Sequence, residues 1–211
     1  MALNLRWHTI NIKSVSNENR IMKSENEQTF REYEKRLLPQ DKKYYGCIMC
    51  PKGKENVFLK LIKEKTDITI LSPIGQRYHK KRGKYSVVIS RVVSGYLFFV
   101  TDDYDLNINV LNSISESVKV IKNDNNDWRL TGKAKEFVEE LLNYKGIVRF
   151  SKSSFINGKL SIKHGFLNHF EDDICNIDKK HRTAKINIPL GDYQIEAWCG
   201  YEIVGEEMLC R

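Results

Sequence analysis

What this chain lacks narrows its class before any motif is read. No apolar run approaches the about 20 residues that a membrane-spanning helix requires. Residues 1–20 hold no apolar core of the kind a secretory signal carries, which sets a cytoplasmic expectation. Five cysteines are an odd number and too few for a disulfide scaffold in 211 residues, which fits a reducing compartment. Only four prolines occur, and no low-complexity tract or internal repeat is visible. Gly-x-Gly-x-x-Gly, the P-loop, Gly-x-Ser-x-Gly and His-Glu-x-x-His are all missing. The five histidines, His8, His79, His164, His169 and His181, are scattered and form no catalytic signature with a carboxylate or cysteine. The chain therefore reads as a non-enzyme with no metal and no cofactor.

What is present is positive charge. The formal net charge is +8, unevenly spread. Residues 1–43 carry a net +3, residues 44–146 a net +5, and residues 151–204 are neutral, with 7 basic and 7 acidic groups. A basic excess suits a polyanionic partner. Neutrality of the C-terminal part means that any such binding there depends on locally placed cations.

Residues 1–43 read as an N-terminal extension, a loosely attached or partly disordered arm in which 5–12 could form a short alternating strand and 24–38 a polar helix that Ser24 and Glu27 could cap. From Tyr44 the pattern tightens. YYGCIMC is a strand, and GKENVFLKLIKEK a helix with Phe58–Ile62 and Val57–Leu61 at helical spacing. ITILSP is a second strand, and residues 76–85 a basic loop. Residues 86–100 are apolar on both faces and read as central strand. Asp105 is placed to cap a helix with Leu106, Val110 and Ile114 on one side. A short strand at 118–121, a turn at 123–127 and a helix at 133–144 follow, the last with Ala134, Phe137, Val138, Leu141 and Leu142 inward. This order predicts an antiparallel sheet with helices on one face, over 44–145. Residues 146–158 read as a linker. Residues 159–205 then give short strands at 159–164, 174–178, 183–188, 193–198 and 201–204. Gly165 is a turn after the first, residues 178–182 a charged turn, and Gly191-Asp192 another. The fold class is thus α+β: an α/β sandwich followed by a small SH3-like β-barrel.

Two clusters carry binding chemistry. Arg77, Lys80, Lys81, Arg82 and Lys84 surround His79, with Tyr78 and Tyr85 interleaved. Cations beside aromatic rings suit phosphate contact with base stacking, or equally a solvated hairpin tip. Lys179, Lys180, His181, Arg182 and Lys185 form the second, in which lysine can also be edge protection. Cys47 and Cys50 make a Cys-x-x-Cys pair, but an offset of three on a regular strand sends the thiols to opposite faces, and no second pair lies at zinc-finger spacing. They read as buried structural cysteines. Asp102, Asp103 and Asp105, and Glu171, Asp172 and Asp173, read as solvated turns and a cap.

Six segments in order give a resemblance. YYGCIMCPKGKE, ILSP, RVVSGYLFFV, VKVIKND and LTGKAKEFVEELL, and then GKLSIKHGFLNHFEDDICNIDKKHRTAKINI with its central Gly165, together resemble the NusG family of transcription elongation factors. The first five are similar to its N-terminal domain and the last to its KOW motif. Within the family the 178–184 turn is most similar to the LoaP-like antiterminator branch. Phe166 stands where the motif usually has proline, His169 and Asp172 where it has glycine, and Ser94 where the first domain has proline.

The resemblance implies a monomeric factor that docks on the β′ clamp helices of RNA polymerase and favours the closed clamp, suppressing pausing or termination at specific operons. Tyr44, Tyr45, Val93, Gly95 and Tyr96 would form or support the polymerase surface. The KOW domain would read a leader RNA hairpin with Lys163, His164, Lys179, Lys180, His181, Arg182 and Lys185. Arg77, Lys80, Lys81, Arg82 and Lys84 would contact nucleic acid, non-template DNA included. The family also offers Rho or a ribosomal protein as partner of a general factor, and KOW motifs occur in ribosome-associated RNA-binding proteins.

Overall fold

Strand β5 (Tyr96–Thr101) is the centre of the first sheet, because nothing in LFFVT needs water: its residues are buried from Leu97 to Thr101. It lies between β2 (Thr69–Leu71) and β1 (Tyr44–Met49), and β6 (Lys119–Val120) completes the antiparallel order β2-β5-β1-β6. Tyr44 pairs with Thr101 and Met49 with Tyr96. Paired residues share a face, so Tyr45, Cys47, Met49, Phe98 and Tyr96 lie on one side and Tyr44, Gly46, Ile48 and Phe99 on the other. The computed structural model describes residues 43–103, 106–123, 125–191 and 193–204. The expected strand at 5–12, the helix at 24–38, the Asp105 cap, Asp192 and residue 205 lie outside them.

Helix α1 (Glu55–Lys65) buries Phe58, Leu59 and Ile62. Thr66 closes it by donating both its backbone N–H and its hydroxyl to the Ile62 carbonyl. Val57 is turned outward, so only the Phe58–Ile62 ridge is core. Helix α2 is a single turn (Asn109–Asn112), and its buried residue is Leu111 while Val110 is exposed, contrary to the expected face. A turn this short gives no four-residue stripe, and Leu111 reaches the core with Ile108 just before the turn. Helix α3 (Gly132–Asn143) buries Ala134, Phe137, Val138 and Leu141, as its spacing predicts, while Leu142, also expected inward, is half-buried.

Two expectations are corrected. Residues 76–85 are no loop: β3 (Ile74–Lys81) and β4 (Lys84–Arg91) form a continuous antiparallel hairpin. In consequence the first half of the apolar 86–100 stretch lies on an exposed strand, not a doubly covered one. Residues 146–158 are likewise strand. β7 (Ile147–Val148) pairs in parallel with β3, and β8 (Ser151–Ile156) pairs with β12 (Tyr193–Ile203) and with β9 (Lys159–His164). The buried positions of β8 are Ser151 and Ser153, so its alternation is invisible to a hydrophobicity reading. Both serines are satisfied: the Leu167 N–H donates to Ser151 Oγ at 3.0 Å, and Ser153 Oγ donates to the Glu202 carbonyl at 2.9 Å.

The second sheet runs β10-β11-β12-β8-β9, with β10 (Ile174–Asp178) and β11 (Thr183–Leu190), and with β8 and β12 parallel. The segment between β9 and β10, expected as a turn, is a 3-10 helix (Phe166–Asp173). Its Phe166 and Phe170 rings each lie 5.7 Å from Phe137 of α3, and Phe98 of β5 lies 5.7 Å away on another side. One aromatic cluster thus joins the first sheet, α3 and the second sheet's 3-10 helix. The Lys133–Asp173 ion pair and a His169 Nε2–Glu140 Oε1 contact at 3.0 Å flank it.

The sheets also meet along β12. Val93 forms a bridge with Ala197, and the Trp198 N–H donates to the Val92 carbonyl at 2.8 Å. At Gly200 a Cβ would overlap the Gln76 carbonyl oxygen and crowd the Phe150 ring, so glycine is what lets the two backbones touch. Phe137 is fully buried at the centre of the aromatic cluster. Phe137→Ala is expected to cost about 3–5 kcal/mol, read as a lower urea midpoint at unchanged slope. A loss under about 1 kcal/mol would contradict a shared core.

Candidate nucleic-acid interface

The β3–β4 hairpin exists because Arg82 and Gly83 both take positive φ, 50° and 80°, the two-residue turn whose twist matches a hairpin. Pairing is unbroken from Ile74↔Arg91 to Lys81↔Lys84. Arg77, His79, Lys80, Lys81, Arg82 and Lys84 are all exposed. Alternation places Arg77, His79 and Lys81 on one face, and Gln76, Tyr78 and Lys80 on the other. No aspartate or glutamate occurs between Asp67 and Asp102, so the hairpin's charge meets no local compensation.

The second cluster is a tight turn between β10 and β11, organised by Asp178. Its Oδ1 accepts the N–H groups of Lys180 at 2.9 Å and His181 at 3.0 Å, and its Oδ2 lies 2.6 Å from His181 Nδ1. Burial pushes the Asp178 carboxyl up, but the hydrogen bonds of His181 and Lys180 together outweigh that and hold it below its ordinary value. The carboxylate therefore satisfies the turn's donors and leaves Lys179 and Lys180 exposed.

The fold brings these two clusters together. The Tyr78 N–H donates to the His181 carbonyl at 3.3 Å, and the Arg182 guanidinium sits 5.4 Å from the Tyr78 ring centre. Tyr78 stacks on Phe150 at 4.7 Å and 17°. Beside it, Lys179 Nζ lies 4.9 Å over the Phe155 ring. Cations held over ring faces remain available on their outer side to a phosphate. Phe150 and Phe155 were missed as supports; the signal available was a pair of aromatic residues in an otherwise polar segment.

Other expected site residues lie elsewhere. Lys163 and His164 are exposed on the edge strand β9, which β12 and β8 separate from β11. Lys185 is tied to Glu196 at 2.9 Å and lies 5.9 Å over Trp198. Of the expected polymerase-surface residues, Val93 is 1% exposed and bridges Ala197, which makes it core. Tyr45 is buried beside Glu139, and burial together with that carboxylate pushes its phenol up to about 12. Tyr44 and Tyr96 are half-buried on opposite faces of the first sheet. Gly95 has φ 84° and donates its N–H to Glu55 Oε1 at 2.7 Å, a structural turn that Arg91 braces from the other Glu55 oxygen at 3.1 Å. Cys47 and Cys50 are buried; burial raises both thiols, Cys50 to about 11.

No family model matches the sequence, and no curated protein matches it. Among solved structures, the chain is similar to one described as "Domain interaction in Thermotoga maritima NusG". The two are 17% identical, with 75% of this chain and 94% of that chain covered and a TM-score of 0.42. No helix among the described residues is long and apolar enough to cross a membrane.

If Asp178 shapes the turn and the turn contacts RNA, Asp178→Ala is expected to weaken binding of a structured RNA although it removes a negative charge; a simple charge effect would strengthen it. The sign of the change decides. The lowered carboxyl also means that the Lys180 and His181 amides keep their acceptor above the ordinary carboxylate range, about 3.9, and lose it as pH falls through the lower folded-state value. Amide shifts titrating at or above the ordinary value would contradict the assignment.

Proposed function

We infer that the chain is a transcription elongation factor of the NusG type that acts as an antiterminator. It rides on RNA polymerase and is recruited by RNA through the composite basic face. The observation that carries RNA recognition is the junction of Tyr78, Phe150, His181 and Arg182, which makes one surface of two cationic clusters distant in sequence. The ordered NusG-like segments supply the polymerase part of the reading.

No covalent chemistry is required. Binding that favours one clamp state over another shifts its population by the difference in affinity. Phosphate contacts give affinity and salt dependence.

Two measurements test it. Charge reversal at Lys179, Lys180 and Arg182 is expected to lower affinity for a structured leader RNA and to flatten its salt dependence by about one phosphate contact per cation. Unchanged affinity and slope would remove the RNA-recognition part. Separately, polymerase should co-purify with the chain, and the chain should promote readthrough at a terminator downstream of its leader. RNA binding without polymerase would instead favour a ribosome-associated module, and capture of Rho a general factor.

A further inference from the structure

We propose that the outer edge of β4 takes up an extended peptide that alternates apolar and acidic residues, adding it to the sheet as a further strand.

The argument begins with the hairpin's hydrogen-bond phase. A two-residue turn with both φ positive is closed by a hydrogen-bonded pair, here Lys81 and Lys84. Alternation then directs the backbone groups of Ser86, Val88 and Ser90 to β3. Val92 continues that series, donating its N–H to the Pro73 carbonyl at 3.0 Å. The N–H and C=O groups of Tyr85, Val87 and Ile89 therefore point away from β3. β4 is terminal in the order β4-β3-β7, and among the described residues nothing pairs with those groups.

Charge protects the edge at its two ends alone, Lys84 and Arg91, and the six residues between them carry none. The edge has no proline and no bulge, and pairing with β3 runs through eight residues without a shift. Natural edges of this length are normally interrupted or covered. Instead Tyr85, Val87 and Ile89 project from one face at 48%, 51% and 40% exposure. The other face carries Lys84, with Lys81 and Arg77 one strand over. An added strand thus meets Val87 and Ile89 on one face, where Lys80 covers the Tyr85 ring at the turn end, and Lys84, Lys81 and Arg77 on the other, and the complementary sequence alternates apolar residues with carboxylates. A second copy of β4 is disfavoured by charge. Residues 74–91 hold Arg77, Lys80, Lys81, Arg82, Lys84 and Arg91 and no acidic residue, so self-pairing sets like charges side by side. Nucleic acid satisfies the cations but leaves the open ladder unused.

The test uses the full chain, isotope-labelled, titrated with a capped peptide of alternating valine and glutamate matched in length to β4. Saturable shifts and hydrogen-exchange protection are expected at the Tyr85, Val87 and Ile89 amides, and not with the valine–lysine peptide. Val87→Pro removes an outward N–H without removing a β3 bond. It is expected to weaken peptide binding at least about tenfold while RNA affinity stays. Should that variant misfold, reversal of Lys81 and Lys84 to glutamate must switch preference to the lysine peptide. Equal binding by Val87→Pro or by the lysine peptide overturns the proposal. So does concentration-dependent protection of these amides without peptide, which assigns the edge to a second copy, or their protection by an RNA oligonucleotide.

Discussion

The structure depends on a contact in which two backbones touch. Gly200 of β12 lies against the Gln76 carbonyl of β3 with no room for a Cβ. Around it the Phe150 N–H reaches the Gln76 side chain at 3.3 Å, and Tyr78 reaches His181. These bonds are individually worth about 1 kcal/mol, but each fixes position as well as energy. They set the root of the hairpin against the β10–β11 turn, and the composite cationic face follows.

The contact is supported from behind. Phe137 joins Phe98 of the first sheet to Phe166 and Phe170 of the second sheet's 3-10 helix. The bridge from Val93 to Ala197 closes the gap along β12. A rigid base matters for recognition because phosphate contacts are strongest when the cations need not be ordered on binding.

Legibility in the sequence followed the chemistry of burial. β5, α3, β9 and β11 were readable because leucine, isoleucine, phenylalanine and valine mark their buried faces; β12, expected as two strands at 193–198 and 201–204, is a single strand. β8 was not, since its buried residues are serines paired to backbone groups. β3 was not, since an exposed strand of arginine, histidine and lysine resembles a loop; only the flanking turn, Arg82-Gly83, carries the hairpin signal. Both cationic clusters were found, but their juxtaposition was not, because it rests on a tight approach at Gly200 between residues far apart in the chain. Val93, matched by motif position to residues that form or support a surface, is buried and bridges Ala197 of β12.

The central claim is that hairpin and turn form one RNA-contacting face because β3 and β12 touch at Gly200. The direct measurement is the leader-RNA affinity of Gly200→Val, which alters no charge, with amide spectra confirming that β10–β11 and the hairpin each persist. The account expects a loss of at least about tenfold together with a smaller salt slope. Unchanged affinity and slope, with the junction opened in the spectra, would contradict it.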